Sequence, residues 1–110
     1  MQFFEVQDLV SRLEKSGRLY EEFLRVHSMS TGIYSLRVGT TDPQNPHNED
    51  EIYYVLHGTA TIRVGNESQI VKPGSLIFVP AGVEHKFHDI KEDLTLIVIF
   101  APPEGSTQDL

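Results

Sequence analysis

The chain has 110 residues and a mass of 12.4 kDa, with no cysteine and a formal net charge of −7. A chain of this length predicts one domain with a single hydrophobic core. The lack of cysteine excludes disulfides, thiolate nucleophiles and cysteine-ligated metal centres, so a metal ion would need nitrogen or oxygen ligands. The 16 Asp and Glu residues outnumber the 9 Lys and Arg residues, which argues against a nucleic-acid partner.

The sequence predicts neither a secretory leader nor a membrane span. Residues 1–5 lack the basic start and the long apolar run of a secretory signal. The longest unbroken apolar run, at 96–101, is far shorter than the roughly 20 residues that a spanning helix requires. We therefore expect a cytoplasmic protein with no membrane partner.

The predicted elements begin with a helical segment within residues 1–18. Asp8 is the expected N-cap, and Gly17 is the expected stop in the left-handed conformation. The apolar stripe of this helix consists of Leu9, Val10 and Leu13.

Residues 19–101 show short runs of β-branched, leucine and aromatic residues interrupted by glycine or proline, a pattern typical of a small sandwich or barrel. Gly65-Asn66 favours a hairpin with positive φ, and Lys72-Pro73-Gly74 favours a type II turn. Residues 102–110 are expected to form a flexible tail. The predicted strands lie at 20–27, 32–38, 51–56, 60–64, 68–71, 75–79, 85–89 and 95–100.

Two of the five histidines stand out by their surroundings. His47 lies in a polar segment before a predicted strand, and Glu51 follows four residues later at the first position of that strand. His85 opens another strand after the turn at 80–84. Two imidazoles and one carboxylate from separate strands would form a facial set of metal ligands with open coordination positions. By composition alone the signal is weak, since such a pair is common on solvated surfaces.

The spacing around these residues resembles the two motifs of the cupin superfamily. Fifteen residues separate the two matching stretches, as in compact microbial cupins, and together they cover 39 to 89, about half of the chain. The first motif, G-x5-H-x-H-x3,4-E-x6-G, is matched with one departure by Gly39, Asn45, His47, Glu51 and Gly58. The second, G-x5-P-x-G-x2-H-x3-N, is matched with one departure by Gly74, Pro80, Gly82, His85 and Asp89.

The resemblance implies an all-β fold, namely an antiparallel jelly-roll β-barrel (the double-stranded β-helix) with a short N-terminal helix, as one cupin domain over residues 1–110. It also implies that His47, Glu51 and His85 bind a divalent metal ion, as the matching positions usually do in the family. Zn, Fe, Mn and Ni remain open, because imidazole and carboxylate suit all of them. Gly58 is expected at a hairpin end with positive φ.

Two departures from the motifs bear on the site. Asn45 replaces the first histidine of the first motif, and Asp89 replaces the final asparagine of the second. Asn45 is a candidate ligand through its amide oxygen, but it could instead orient a metal-bound water or mark a lost ligand. Gln44 is a second, weaker candidate for that position. The alternative to metal binding is a site that stays empty or fills adventitiously.

Strand alternation predicts which residues share the pocket. Counting from Glu51 and His85 places Tyr53, Phe87 and Asp89 on the inside. Tyr53 and Phe87 either face a substrate or belong to the ordinary core, which is the simpler interpretation. Glu49 and Asp50 are expected on a solvated loop face. The histidines expected to lie outside the site are His27, His57 and His88.

The resulting hypothesis is a metal-binding cupin that holds a small organic molecule in its barrel, with dioxygenase or isomerase chemistry at the metal. The alternative is a non-catalytic module that binds a small ligand or a metal, such as a sensor. Whether the protein is an enzyme stays open, since one fold carries many reactions. Outward-facing Tyr54 and Leu56, and a last strand at 96–100 that is apolar on both faces, further predict a homodimer.

Overall fold

Residues 1–107, which the computed structural model describes, form one α-helix and six β-strands. Every strand pairing is antiparallel, and the strands curl into the predicted jelly-roll barrel. In chain order the elements are α1 (Val6–Ser16), β1 (Tyr20–Val26), β2 (Met29–Leu36), β3 (Asp50–Val64), β4 (Glu67–Val71), β5 (Leu76–Val79) and β6 (His85–Ala101). The sheet order is β1-β2-β6-β3-β4, and β5 pairs with the first part of β3.

The helix starts earlier than predicted and ends where predicted. Its N-cap is Glu5, so the expected cap at Asp8 is wrong. Asp8 lies in the first turn instead, where its carboxylate faces the positive end of the helix dipole. Gly17 ends the helix with a left-handed φ of 71°. The predicted apolar stripe is buried against β2. Among residues 1–107, no helix has the length and hydropathy needed to cross a membrane.

Four of the predicted strands merge into two long ones. The runs 51–56 and 60–64 both belong to β3, and the runs 85–89 and 95–100 both belong to β6. Gly58, expected at a hairpin end, therefore lies inside β3, with a φ of 92°. Its positive φ serves a bulge instead, because the register between β3 and β6 shifts repeatedly around this residue.

The bulged stretch curls the ribbon that β3 and β6 form. Glu51 pairs with Phe100, and Val64 pairs with His85, so Glu51 and His85 belong to opposite ends of the ladder. A straight ribbon of that length would hold these two residues roughly 40 Å apart. In the barrel their side chains are 3.1 Å apart. The curl is therefore what brings the two predicted ligands together.

The main core fills the barrel with side chains from β2, β3 and β6. Tyr53 and Phe87 belong to it and are almost completely buried. Asp89 is the exception to the predicted alternation, because it is exposed and has a φ of 48°. A positive φ redirects the side chain, so the expectation that Asp89 faces inward is wrong.

Both turns that were predicted from their chemistry are confirmed. The β3–β4 hairpin closes through Gly65, which has a φ of 58°. The β4–β5 turn has Gly74 at a φ of 93°, and its Ser75 N–H donates to the Lys72 carbonyl at 2.9 Å. These two glycines occupy the positions for which a turn requires left-handed backbone.

The segment after β6 packs on the barrel, in contrast to the expected flexible tail. Pro103 is buried, and the Glu104 N–H donates to Ser30 Oγ at 2.9 Å. Arg25 Nη2 donates to the Glu104 carbonyl, also at 2.9 Å. We call residues 103–107 the C-terminal strap. The rest of the expected tail, 108–110, lies outside the described residues.

The strap also explains a second departure from the sequence interpretation. Glu49, expected on a solvated face, is only 2% exposed. Its Oε2 accepts a hydrogen bond from Thr107 Oγ1 of the strap at 3.1 Å. The neighbouring Asp50 is exposed as expected.

Replacing Gly58 with alanine is expected to destabilise the fold. The added Cβ would lie 2.3 Å from the carbonyl oxygen of Asp93 on β6. The positive φ adds an unfavourable term of about 1–3 kcal/mol for alanine. Gly74→Ala is the matched control, since Gly74 has nearly the same φ but nothing within 4 Å of the added Cβ. Urea unfolding should show a clearly larger loss for Gly58→Ala, and equal losses would contradict the close approach.

Candidate metal centre

Three predicted ligands converge at one end of the barrel. His47 lies on the loop before β3, Glu51 lies near the start of β3, and His85 is the first residue of β6. One donor atom from each lies within 4.8 Å of the other two. Glu51 Oε1 is 3.1 Å from His85 Nε2 and 3.9 Å from His47 Nε2.

The carboxylate at the centre of this group receives no aligned hydrogen bond from the part of the chain that the structure describes. Glu51 is 1% exposed, and neither of its oxygens makes an aligned hydrogen bond within residues 1–107, despite the short contact with His85. Removing a carboxylate from water is unfavourable by several kcal/mol unless a positive charge, from a protonated imidazole or a bound cation, compensates it. Two imidazoles and this carboxylate match the donor set of zinc and non-haem iron sites. The chemistry of the three side chains therefore fits a divalent metal ion.

His85 is held in the orientation that a ligand requires. Its Nδ1 lies 3.0 Å from the carbonyl oxygen of Val83, which can only accept, so Nδ1 carries the proton and donates. This contact leaves Nε2 directed at Glu51. Burial lowers the pKa of His85, but the contacts with Glu51 and with the Val83 carbonyl outweigh burial, so the pKa lies above its ordinary value of 6.5.

Asp42 is a site residue that the sequence interpretation missed. Its carboxylate is fully buried and accepts hydrogen bonds from Tyr34 OH at 2.7 Å and from the Phe87 N–H at 2.9 Å. It also accepts from the backbone and side-chain amides of Gln44, at 3.1 and 3.0 Å. Asp42 thus ties the loop before β3 to the barrel wall. The sequence gives no signal for Asp42, because it lies in a loop, where no alternation of apolar and polar residues indicates which side chains are buried.

The structure separates the two candidates for the replaced histidine. Asn45 is exposed, and its side chain makes no hydrogen bond among the residues that the structure describes. Gln44 is half-buried and directs Oε1 into the site, 3.3 Å from His47 Nε2. The weaker sequence candidate therefore lies beside the predicted ligands, whereas Asn45 lies outside.

The ring of Tyr53 belongs to the core, and its hydroxyl lies beside the candidate metal ligands. Its ring packs in the core against Phe87, with centroids 4.9 Å apart. Its hydroxyl donates to Gln44 Oε1 at 2.7 Å and lies 3.1 Å from His85 Nε2. Burial, followed by the nearby Glu51 charge, raises the pKa of Tyr53 well above its ordinary value. The phenol therefore stays protonated near neutral pH and acts as a donor.

A cavity of about 280 Å³ opens beside His47. Glu104 of the strap borders it and places Oε2 3.8 Å from His47 Nδ1. Burial raises the pKa of the Glu104 carboxyl, and the His47 charge opposes that shift. The residues that line the cavity are Leu19, Tyr20, Tyr34, Pro43, Gln44, His47, Val98, Phe100 and Glu104.

The other three histidines lie outside this group, as expected. His27 and His57 are exposed. His88 is partly exposed and pairs with the neighbouring Asp89, with Nδ1 2.9 Å from Oδ2. None of them is among the side chains that converge within residues 1–107.

Comparisons with known proteins agree with this fold. The family model described as "Cupin domain" matches residues 32–100. An uncharacterized protein of Streptomyces coelicolor is 48% identical over 96% of this chain and 100% of its own length. The crystal structure of a protein from Thermus thermophilus matches with a TM-score of 0.74 and 25% identity, over 94% of this chain and 99% of that one.

Some of the similar proteins carry a named activity. Acireductone dioxygenase 2 of Arabidopsis thaliana is 33% identical over 74% of this chain, and the match spans 45% of that enzyme's length. The family model and the Streptomyces relative together cover the barrel and both predicted motifs. The chain is a member of the cupin family.

Proposed function

We propose that this cupin binds one divalent metal ion through His47, Glu51 and His85 and holds a small organic molecule next to it. The observation that carries the proposal is the buried Glu51 carboxylate, which faces two imidazoles and receives no aligned hydrogen bond from residues 1–107. A bound ion would supply Lewis-acid chemistry, and iron would add reactivity toward O₂.

The neighbouring cavity supports a small substrate. Its volume of about 280 Å³ lies just below the usual range for drug-sized ligands. Val98 and Phe100 provide apolar wall, while Tyr20 and Tyr34 are phenols whose pKa is raised by burial, so both remain protonated. No Lys or Arg borders the cavity among the described residues. We infer that the substrate binds the metal through oxygen atoms and does not require a Lys or Arg side chain as a partner.

As the reaction class, we propose dioxygenase chemistry in preference to isomerase chemistry. The support is the likeness to a plant acireductone dioxygenase over 74% of this chain. Oxygen uptake by the iron-loaded protein with small hydroxy-keto compounds, compared with the zinc-loaded protein, tests this choice. Ligand binding without turnover in either form would favour a non-catalytic module.

Metal content tests the site directly. Protein purified without a histidine tag is expected to hold about one equivalent of metal. His47→Ala and His85→Ala should each lose it, because each removes one of three donors. His88→Ala is the matched control, since His88 is partly exposed and lies outside the group. Elemental analysis showing under about a tenth of an equivalent in the parent protein, after incubation with zinc or iron, would contradict the proposal.

The pH dependence follows from the raised pKa of His85. In metal-free protein the stability that protonated His85 contributes is complete below pH 6.5 and is lost as pH rises through the folded-state pKa. Metal binding has the opposite dependence, because the ligand must be neutral. Zinc should therefore raise the melting temperature more at about pH 8 than at about pH 6. Calorimetry at both values checks this, and a larger shift at the lower pH would contradict it.

We also propose a homodimer, supported by an uncovered apolar patch. The helix packs against Leu56 and Ile97, but it leaves part of the sheet open. The open part pairs Ile52 with Phe78 and Tyr54 with Leu76, and their exposed fractions run from 38% to 70%. Four adjacent apolar side chains of this exposure are typical of an interaction surface.

Light scattering at micromolar concentration should give twice the 12.4 kDa chain mass. Phe78→Asp should yield monomers, because it places a charge in the patch. Phe3→Asp is the control, since Phe3 is 75% exposed and precedes the helix that packs on β1 and β2. A monomeric parent protein would contradict the dimer.

A further inference from the structure

We propose that Gln44, rather than Asn45, supplies a fourth ligand atom to the metal centre, and that Asp42 fixes the direction of its amide. The inference rests on the metal site under "Proposed function" and adds a ligand from outside the motif positions. It replaces a histidine of the family pattern with a neutral oxygen donor from the neighbouring residue.

The orientation of the Gln44 amide is determined by its partner. Gln44 Nε2 lies 3.0 Å from Asp42 Oδ2, a carboxylate oxygen that can only accept. Asp42 itself is fully buried and anchored by Tyr34 and by the Phe87 backbone. The amide nitrogen must therefore point at Asp42, and Oε1 must point the other way, into the site.

The position of Oε1 suits a ligand atom. It accepts from Tyr53 OH at 2.7 Å, which uses one of its two lone pairs, and it lies 3.3 Å from His47 Nε2. Two atoms that bind one tetrahedral ion at ordinary distances are about 3.4 Å apart. The spacing between Gln44 Oε1 and His47 Nε2 matches that value, and the distances from Glu51 Oε1 to His85 Nε2 and His47 Nε2, 3.1 and 3.9 Å, lie on either side of it.

The loop geometry excludes Asn45 from the same role. Pro46 restricts Asn45 to an extended backbone, in which neighbouring side chains point in opposite directions. Gln44 points inward and is half-buried, so Asn45 points outward and is exposed. Asn45 occupies the motif position of the missing histidine but does not supply its ligand atom. Gln44 supplies that atom from the preceding position.

Cobalt(II) titration of the full chain tests the inference, because its visible absorption reports the ligand set. Gln44→Leu removes the oxygen and should weaken affinity by about 10–100-fold and change the spectrum. Gln44→Glu keeps an oxygen donor but cannot donate to Asp42, so it should stay nearer to the parent than to Gln44→Leu. Asn45→Ala should match the parent protein.

The variants separate a ligand from a residue that only supports the loop. Equal losses in Gln44→Leu and Gln44→Glu would overturn the inference, because a supporting role depends on donation to Asp42. Unchanged affinity and spectrum in Gln44→Leu, or a loss in Asn45→Ala, would also overturn it. Thermal melts of metal-free protein verify that each variant is folded. A parent protein that binds no cobalt would contradict the metal site itself, whereas a binding parent with an unaffected Gln44→Leu contradicts only this inference.

Discussion

The curl of the β3–β6 ribbon is the constraint on which the site depends. Glu51 and His85 are paired with opposite ends of this ladder and would be roughly 40 Å apart in a straight ribbon. The described chain extends only 35 × 34 × 23 Å, so the ribbon has to turn back on itself. The turn is made where the register slips around Gly58, whose missing Cβ admits the Asp93 carbonyl. Gly58 thus lies at the bend that brings Glu51 and His85 together.

Closure of the barrel also buries the Glu51 carboxylate, whose negative charge a bound metal ion would neutralise. Bringing the strand ends together removes water from Glu51, yet the barrel provides no aligned donor to its oxygens within residues 1–107. Asp42 is equally buried but accepts four hydrogen bonds, so it needs no further partner. The two carboxylates therefore differ in their surroundings, because donors surround Asp42 whereas Glu51 faces two imidazoles.

Sequence reasoning succeeded for features that depend on the spacing of residues close together in the chain. The family motifs identified His47, Glu51 and His85, and turn chemistry identified Gly65 and Gly74. It failed where a residue's role depends on distant partners. Gly58 has the same signature as a turn glycine, because bulges and turns both use positive φ. Roles for Asp42, Glu49 and Glu104 depend on segments that are far apart in the chain, so no periodic pattern reveals them.

His47 is the one predicted ligand on a loop, and its surroundings come from outside the regular barrel. Phe100 packs edge-on against its ring, with centroids 4.9 Å apart. Gln44 faces Nε2 at 3.3 Å, and Glu104 of the strap faces Nδ1 at 3.8 Å. A carboxylate near Nδ1 favours the tautomer that leaves Nε2 free to bind a metal.

Those two contacts come from the loop before β3 and from the C-terminal strap, and both segments also border the cavity. The barrel strands set where Glu51 and His85 lie, whereas these two segments set the orientation of His47 and the shape of the adjacent space. Cupins that share the barrel can therefore differ in ligand set and substrate through short, irregular segments alone. In this chain, residues 42–47 and 103–107 supply the contacts that surround His47 and part of the cavity lining.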